Sequence, residues 1–193
     1  MPREENIIKR EWLRYYDFFP QYSGYTIQSW DTASKSGELN DFSVCTTWRL
    51  IDQEFFLVDV FRQRLTFPQL KQAVKHLALQ HQPVNILIED KSSGISLVQE
   101  LQVEGISGIE AYKPAPGQDK FMRFYAQSVK FASGKVHLPR QAPWLEEYIR
   151  EVTGFPGVKH DDQVDSTTQA LDYLGSMVSD IATWIALGKG CSG

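Results

Sequence analysis

Between Tyr25 and Arg64 the chain passes through three consecutive runs rich in β-branched and aromatic residues: "YTIQSWD", "DFSVCTTWRLI" and "EFFLVDVFRQR". Such residues fit a pleated, half-buried surface. The breaks between the runs are short, "SKSGELN" and the polar pair Asp52-Gln53. Strands joined by so little chain pair antiparallel, since a parallel pair needs a long crossover. A three-strand antiparallel meander is therefore the constraint around which the remaining chain must pack.

After the meander the periodicity changes. "TFPQLKQAVKHLALQHQ" carries Leu70, Ala73, Val74, Leu77 and Ala78 at helical spacing, with Thr66 as its expected N-cap and Pro68 in its first turn. "VNILIED" is a short continuous apolar run, as expected of a buried central strand. Helix, strand, helix and strand follow in "SSGISLVQELQVEG", "GIEAYK", "QDKFMRFYAQSVKFASG" and "KVHLP", and then helical "APWLEEYIREV". Val164, Leu171, Leu174, Val178, Ile181 and Ile185 form one face of a long last helix, so the apolar segment Met177 to Leu187 is expected to be packed. This order describes an α/β protein, a mixed sheet of meander plus parallel strands flanked by helices. It resembles the ribonuclease H-like topology.

The expected organisation is an N-terminal arm over residues 1–24, one domain over 25–188 and a short tail over 189–193. The arm mixes aromatics with balanced charge and is expected to pack on something else, which need not belong to this chain. The charged start is no signal peptide, and no apolar run reaches membrane-spanning length. Of the two cysteines, Cys45 lies in a strand-like run as a small core residue and Cys191 in the Gly-rich tail. Without a disulfide framework, a reducing cytoplasm is the default compartment.

Acidic residues stand where such a sheet would gather function. Asp31 ends the first strand of the meander, and Glu89 and Asp90 end "NILIED". Sites in open α/β sheets lie outside strand ends. If those two strands are adjacent and parallel, Asp31 and Glu89 project together, and alternation lets only one of Glu89 and Asp90 face that way; Glu89 is favoured. "VKHDDQVDS" then places Asp161, Asp162 and Asp165 at the start of the last helix. Positions 161 and 165, or 162 and 165, share a helical face. Simple capping explains acids in a first turn equally well, and a strand-end Asp alone is more often a turn residue. Asp41 reads as a turn cap and His160 as an exposed loop residue. Three separate acidic sites converging is the less ordinary pattern, because the charges repel unless a cation neutralises them. Hard oxygen ligands select Mg²⁺ or Mn²⁺, and two such ions about 3.5–4 Å apart suit phosphodiester cleavage.

With a net charge of -4, any contact with nucleic acid must be local. Between Ala111 and Arg140, six basic residues (Lys113, Lys120, Arg123, Lys130, Lys135 and Arg140) face the single acid Asp119. Lys35 and Lys91 flank the strand-end carboxylates. Lys35, Lys91, Lys113, Lys120 and Arg123 are the expected DNA contacts, neutralising phosphates of a duplex.

"SWDTASKSGELNDFSV", "ILIEDKSSGISLVQEL", "DKFMRFYAQSVKFASGKVHLP" and "HDDQVDSTTQALDYL" together resemble the C-terminal nuclease domain of tailed-phage large terminases. The resemblance runs from about Tyr25 to Leu174. It implies a ribonuclease H-like endonuclease that cuts concatemeric viral DNA during packaging in the host cytoplasm. The implied partners are double-stranded DNA, the terminase ATPase domain, the small terminase subunit and the portal. By motif, Asp31, Glu89 and an aspartate of the "HDD" pair would be the catalytic metal ligands for two Mg²⁺ or Mn²⁺ ions. Asp162 is preferred, Asp161 is its close competitor and Asp165 gives support. No Walker A pattern occurs, so ATP hydrolysis is not expected of this chain. A Holliday-junction resolvase or integrase-like enzyme of the same fold, or a silent module docking on a motor or portal, are the competing readings.

Overall fold

The computed structural model describes residues 6–19, 24–33 and 41–189. A seven-stranded mixed sheet runs in the order β1-β7-β4-β3-β2-β5-β6. Its strands are β1 (Arg14–Tyr16), β2 (Tyr25–Asp31), β3 (Ser43–Ile51), β4 (Glu54–Gln63), β5 (Asn85–Glu89), β6 (Ile109–Tyr112) and β7 (Val136–Pro139). The helices are α1 (Phe67–His81), α2 (Ser92–Val103), α3 (Lys120–Ala132), α4 (Leu145–Gly154) and α5 (Asp162–Lys189). The ribonuclease H-like class read from the element order is the fold observed. Among the described residues no helix is long and apolar enough to cross a membrane.

The meander forms as its patterning requires. β2 pairs antiparallel with β3, and β3 with β4 through a turn in which Asp52 and Gln53 both have positive φ. That backbone twist matches the strands of a two-residue hairpin. β5 lies parallel to β2, with Trp30 opposite Ile88. Thr66 begins α1, its N–H donating to Gln69 Oε1 at 2.9 Å.

Alternation along the strands divides the core between the two faces of the sheet. Trp30, Cys45, Ile86 and Ile88 pack against Leu70, Val74 and Leu77 of α1 and Leu97 and Leu101 of α2. Ile27, Trp48, Leu57 and Leu87 pack on the other face against Phe124 and Phe131 of α3, Tyr148 and Val152 of α4, and Val164, Leu171 and Leu174 of α5.

One expectation is filled in and one is corrected. The arm packs on the domain itself: Ile7, Ile8 and Leu13 are buried in the same core as Tyr148 and Phe155. Its residues 14–16 form β1, parallel to β7, and Tyr16 Oη donates to Leu57 O at 2.7 Å. The apolar residues of the arm thus close one edge of the sheet. The last helix is packed only as far as Val178. Beyond it Ile181, Trp184, Ile185 and Leu187 are exposed, because α5 runs past the edge of the layer beneath it.

Candidate functional site

Strand parity decides which acids can meet. In β2, Ile27, Ser29 and Asp31 share the face covered by α5. In β5, the parallel register gives Leu87 and Glu89 that same face and turns Asp90 away. Glu89 therefore stands with Asp31, whereas Asp90 pairs with Lys113 at 3.1 Å. The chain leaves β5 through Lys91 into α2, and Gly94 permits the close approach there. A Cβ on Gly94 would collide with the carbonyl oxygen of Glu89.

Helix α5 is set on the sheet by a buried polar network. Ser166 Oγ donates to Ser29 O at 2.7 Å, and Ser29 Oγ donates to Ser166 O at 2.7 Å. Thr46 N–H donates to Ser166 Oγ at 3.2 Å, and the two hydroxyls lie 2.7 Å apart. Gln169 Nε2 donates to Ser29 Oγ at 3.0 Å. The first turn of α5 is capped from α4: Glu151 Oε1 accepts from the N–H groups of Gln163 (2.7 Å) and Val164 (3.1 Å), and Oε2 from Gln163 Nε2 at 2.5 Å. Another carboxylate thus supplies the cap, so capping does not account for the three aspartates.

None of these scaffold residues was singled out from the sequence. A signal was present for two of them. Asp162, Asp165, Ser166 and Gln169 repeat at i, i+3, i+4 and i+7, a polar stripe on a helix otherwise apolar on its inner side. Glu151 carries no comparable signal, since it sits among the apolar positions of α4 and its role depends on where α5 begins.

Asp31, Asp41, Asp161, Asp162 and Asp165 line one cleft of about 310 Å³ with Lys91 and Lys120. Asp31 is 5 % exposed, and its Oδ1, although 2.7 Å from Lys91 Nζ, makes no hydrogen bond of ordinary geometry. Burial pushes the Asp31 carboxyl up to about 8, with Lys91 opposing the rise and Asp165 and Glu89 adding to it. Burial also raises Asp165 and Asp162, Lys120 opposing at the first and Asp161 adding at the second. Lys91 Nζ spans Asp31 Oδ1 (2.7 Å) and Glu89 Oε2 (2.6 Å), and Lys120 Nζ spans Asp161 Oδ1 (2.9 Å) and Asp165 Oδ2 (2.6 Å). Burial alone would lower both ammonium groups, yet their carboxylate partners raise them. Among the described residues no three acidic, histidine or cysteine side chains are gathered tightly enough to hold one ion. The acids instead stand as two pairs, each bridged by a lysine. A buried strand-end carboxylate facing further hard oxygen donors across a cleft fits a Mg²⁺ or Mn²⁺ ion in chemistry.

The remaining expected residues lie as follows. Asp162 faces the cleft on the side of Arg62 and His160, whose charges oppose the rise of its carboxyl. His160 meets the Phe42 ring edge-on at 5.5 Å. Of the basic stripe, Lys113 and Lys120 are ion-paired as above, Arg140 pairs with Asp17 at 2.6 Å, and Lys130 donates to Gln127. Arg123 is half-buried beside Tyr112 and Asp172. Lys35 lies outside the described residues. A larger cavity of about 690 Å³, between α3 and the outer half of α5, contains none of the expected acids of the cleft.

Residues 28–174 match the family described as the Terminase RNaseH-like domain. The chain belongs to that family. Solved structures agree in fold. The large terminase nuclease of thermophilic phage G20c with bound cobalt superposes with a TM-score of 0.67 at 15% identity, over 89% of this chain and 98% of that one. The same G20c nuclease with bound magnesium gives 0.66 at 14% identity, over 89% and 98%. The large terminase of a second thermophilic bacteriophage gives 0.64 at 12% identity, over 86% of this chain, which spans 44% of that protein. No curated protein sequence is a significant match. The terminase RNaseH-like domain therefore keeps its architecture here at low sequence identity.

Proposed function

We propose that this domain is the metal-dependent endonuclease of a phage packaging terminase, hydrolysing phosphodiester bonds of double-stranded viral DNA in the host cytoplasm. The observation that carries the proposal is Asp31: a buried carboxylate at a strand end, joined to Glu89 through Lys91 and facing the acidic start of α5 across an open cleft. G20c large terminase nuclease structures with bound cobalt, magnesium and zinc lend support.

Asp31 and Glu89 would hold metal from the sheet, and Asp161, Asp162 and Asp165 from the helix. Asp165 leads among the three, in place of the Asp162 preferred from the sequence, because its carboxyl is more deeply covered than that of Asp161 and its charge acts on Asp31. Two Mg²⁺ or Mn²⁺ ions bound there would supply Lewis-acid activation of water and stabilise the leaving oxygen. The chain's own part is to fix the carboxylates in place through Ser29, Thr46, Ser166 and Gln169 and to present cations to phosphate. Lys35, Lys91, Lys113, Lys120 and Arg123 are the proposed duplex contacts. Several of them are already paired with carboxylates, so the isolated domain would bind DNA weakly. In a packaging motor the ATPase domain, small subunit and portal would hold the DNA near the cleft, substituting effective concentration for affinity.

Plasmid nicking with Mn²⁺ tests the proposal. Wild type nicks slowly, and Asp31→Ala and Asp165→Ala abolish the activity, with Asp162→Ala weaker in effect. Efficient nicking in EDTA, or undiminished nicking by Asp31→Ala, refutes it.

A further inference from the structure

Lys91 and Lys120 stand in places where helix electrostatics disfavour a cation. Lys91 is the residue that caps the start of α2, and Lys120 is the first residue of α3. The N-terminal end of a helix carries partial positive charge and stabilises acids rather than lysines. Their positions are explained by what lies opposite. Lys91 Nζ lies within 2.7 Å of one oxygen each of Asp31 and Glu89, and Lys120 Nζ within 2.9 Å of Asp161 and Asp165. Four carboxylates from three separate elements are thus neutralised two by two, one ammonium to each pair.

Both ammonium groups can leave. Lys91 is 44% exposed and Lys120 36%, while the acids Asp31, Glu89 and Asp165 are largely covered. A lysine is a compact charge on a flexible four-carbon stem and can swing outward without moving the backbone.

Resting on the metal-site reading above, we propose that Lys91 and Lys120 are built-in counter-cations that compete with divalent metal for the four carboxylates. Each must swing off its pair for an ion to bind there. Together they set the affinity of the cleft for metal, and once displaced they stand at its rim as positioning residues for a phosphate of the substrate. In the metal-free domain they keep mutually repelling acids together. In the loaded domain the same charges turn to the nucleic acid.

Lys120 gives the cleaner test, because its stem is partly exposed at a helix start. Wild type, Lys120→Met, Lys120→Arg and Asp31→Asn are titrated with Mn²⁺ alone, by calorimetry and by the electron paramagnetic resonance of free Mn²⁺, with folding checked by circular dichroism. Lys120→Met should bind Mn²⁺ about tenfold tighter than wild type at low salt, an order of magnitude set by one partly exposed charge contact. Lys120→Arg, which keeps the charge, should stay near wild type. At saturating Mn²⁺, Lys120→Met should nick DNA more slowly in spite of its tighter metal binding. Lys91→Met adds a second measurement: its metal-free melting temperature falls, and Mn²⁺ raises it by more than in wild type. If Asp31→Asn loses Mn²⁺ binding while Lys120→Met binds no tighter than wild type, the counter-cation role is overturned and the metal site stands. If wild type and Lys120→Met bind no Mn²⁺, or Asp31→Asn binds as wild type does, the metal-site reading falls and this role with it.

Discussion

Replacing Glu151 with glutamine sets two opposed forces on one buried carboxylate against each other. Burial pushes Glu151 up to about 7, while Gln163 and the N–H groups of Gln163 and Val164 hold its charged form. Between pH 4.5 and 7 the folded chain therefore retains a proton that the unfolded chain has released, and stability falls as pH rises through that window. The rise from 4.5 to about 7 corresponds to a loss of about 3 kcal/mol, absent below the window and fully expressed above it. Glutamine cannot ionise, and its carbonyl oxygen still accepts from both amides, so most of a cap worth about 1–2 kcal/mol survives. Its amide meets the donor Gln163 Nε2, which costs about 1 kcal/mol. Glu151→Gln should accordingly be slightly less stable than wild type near pH 5 and more stable by about 2 kcal/mol near pH 8. Urea unfolding followed by circular dichroism at intervals across that range reads the crossing directly. A stability difference that stays constant with pH would refute the reasoning, because it would mean that the amide donors and the helix dipole keep Glu151 ionised throughout.

Ser166→Ala removes the hydroxyl shared by Ser29 and Thr46 and leaves the buried Thr46 N–H without its acceptor. A loss of about 2–3 kcal/mol in urea unfolding is expected, with slower nicking even where the protein is folded. Gly94→Ala drives a methyl group into the backbone of Glu89; α2 must shift, at a cost of about 1–3 kcal/mol, which a fall in melting temperature measures. Asp31→Asn removes a carboxyl that burial has pushed up to about 8. The variant should lose nicking completely in the Mn²⁺ plasmid assay while keeping its circular dichroism spectrum.

The sequence made the meander, the β2–β5 neighbours and the Asp31–Glu89 side of the site legible because strand parity and strand-end position are local properties that survive in one dimension. The choice of Glu89 over Asp90 needed only alternation and a parallel partner, and Asp90 indeed turns away to Lys113. The partner of the arm was not legible because three residues of strand, Arg14–Tyr16, are too short for a periodic signal, and their pairing with β7 depends on chain that follows more than a hundred residues later. The outer turns of α5 were misread for the opposite reason. Their apolar spacing is strong, yet spacing does not reveal where the sheet beneath them ends. The basic stripe of 113–140 was a true cluster in sequence, but charge counting could not show that Lys120 and Lys113 already face carboxylates brought in from other elements.

Hydrophobic contact between α5 and the sheet, through Val164, Ala170, Leu171 and Leu174, is non-directional and would tolerate rotation or a slip of the helix. A slip of one residue turns the helix by about 100° and carries Asp165 out of the cleft. The reciprocal bonds between Ser29 and Ser166, 137 positions apart in sequence, forbid that slip, since only one rotation of α5 satisfies both carbonyls and both hydroxyls. A mis-registered helix would leave those buried groups unpaired, at about 1–3 kcal/mol each. The polar stripe of α5 is therefore explained by register as much as by chemistry: Ser166 and Gln169 fix the angle at which Asp161 and Asp165 face Asp31. On this account a double variant with Ser29 and Ser166 both changed to alanine should be less stable than Ser166→Ala alone and nick no better, because it also takes the Ser29 hydroxyl away from Ser166 O and Gln169 Nε2 and with it the second of the two reciprocal bonds that hold the register.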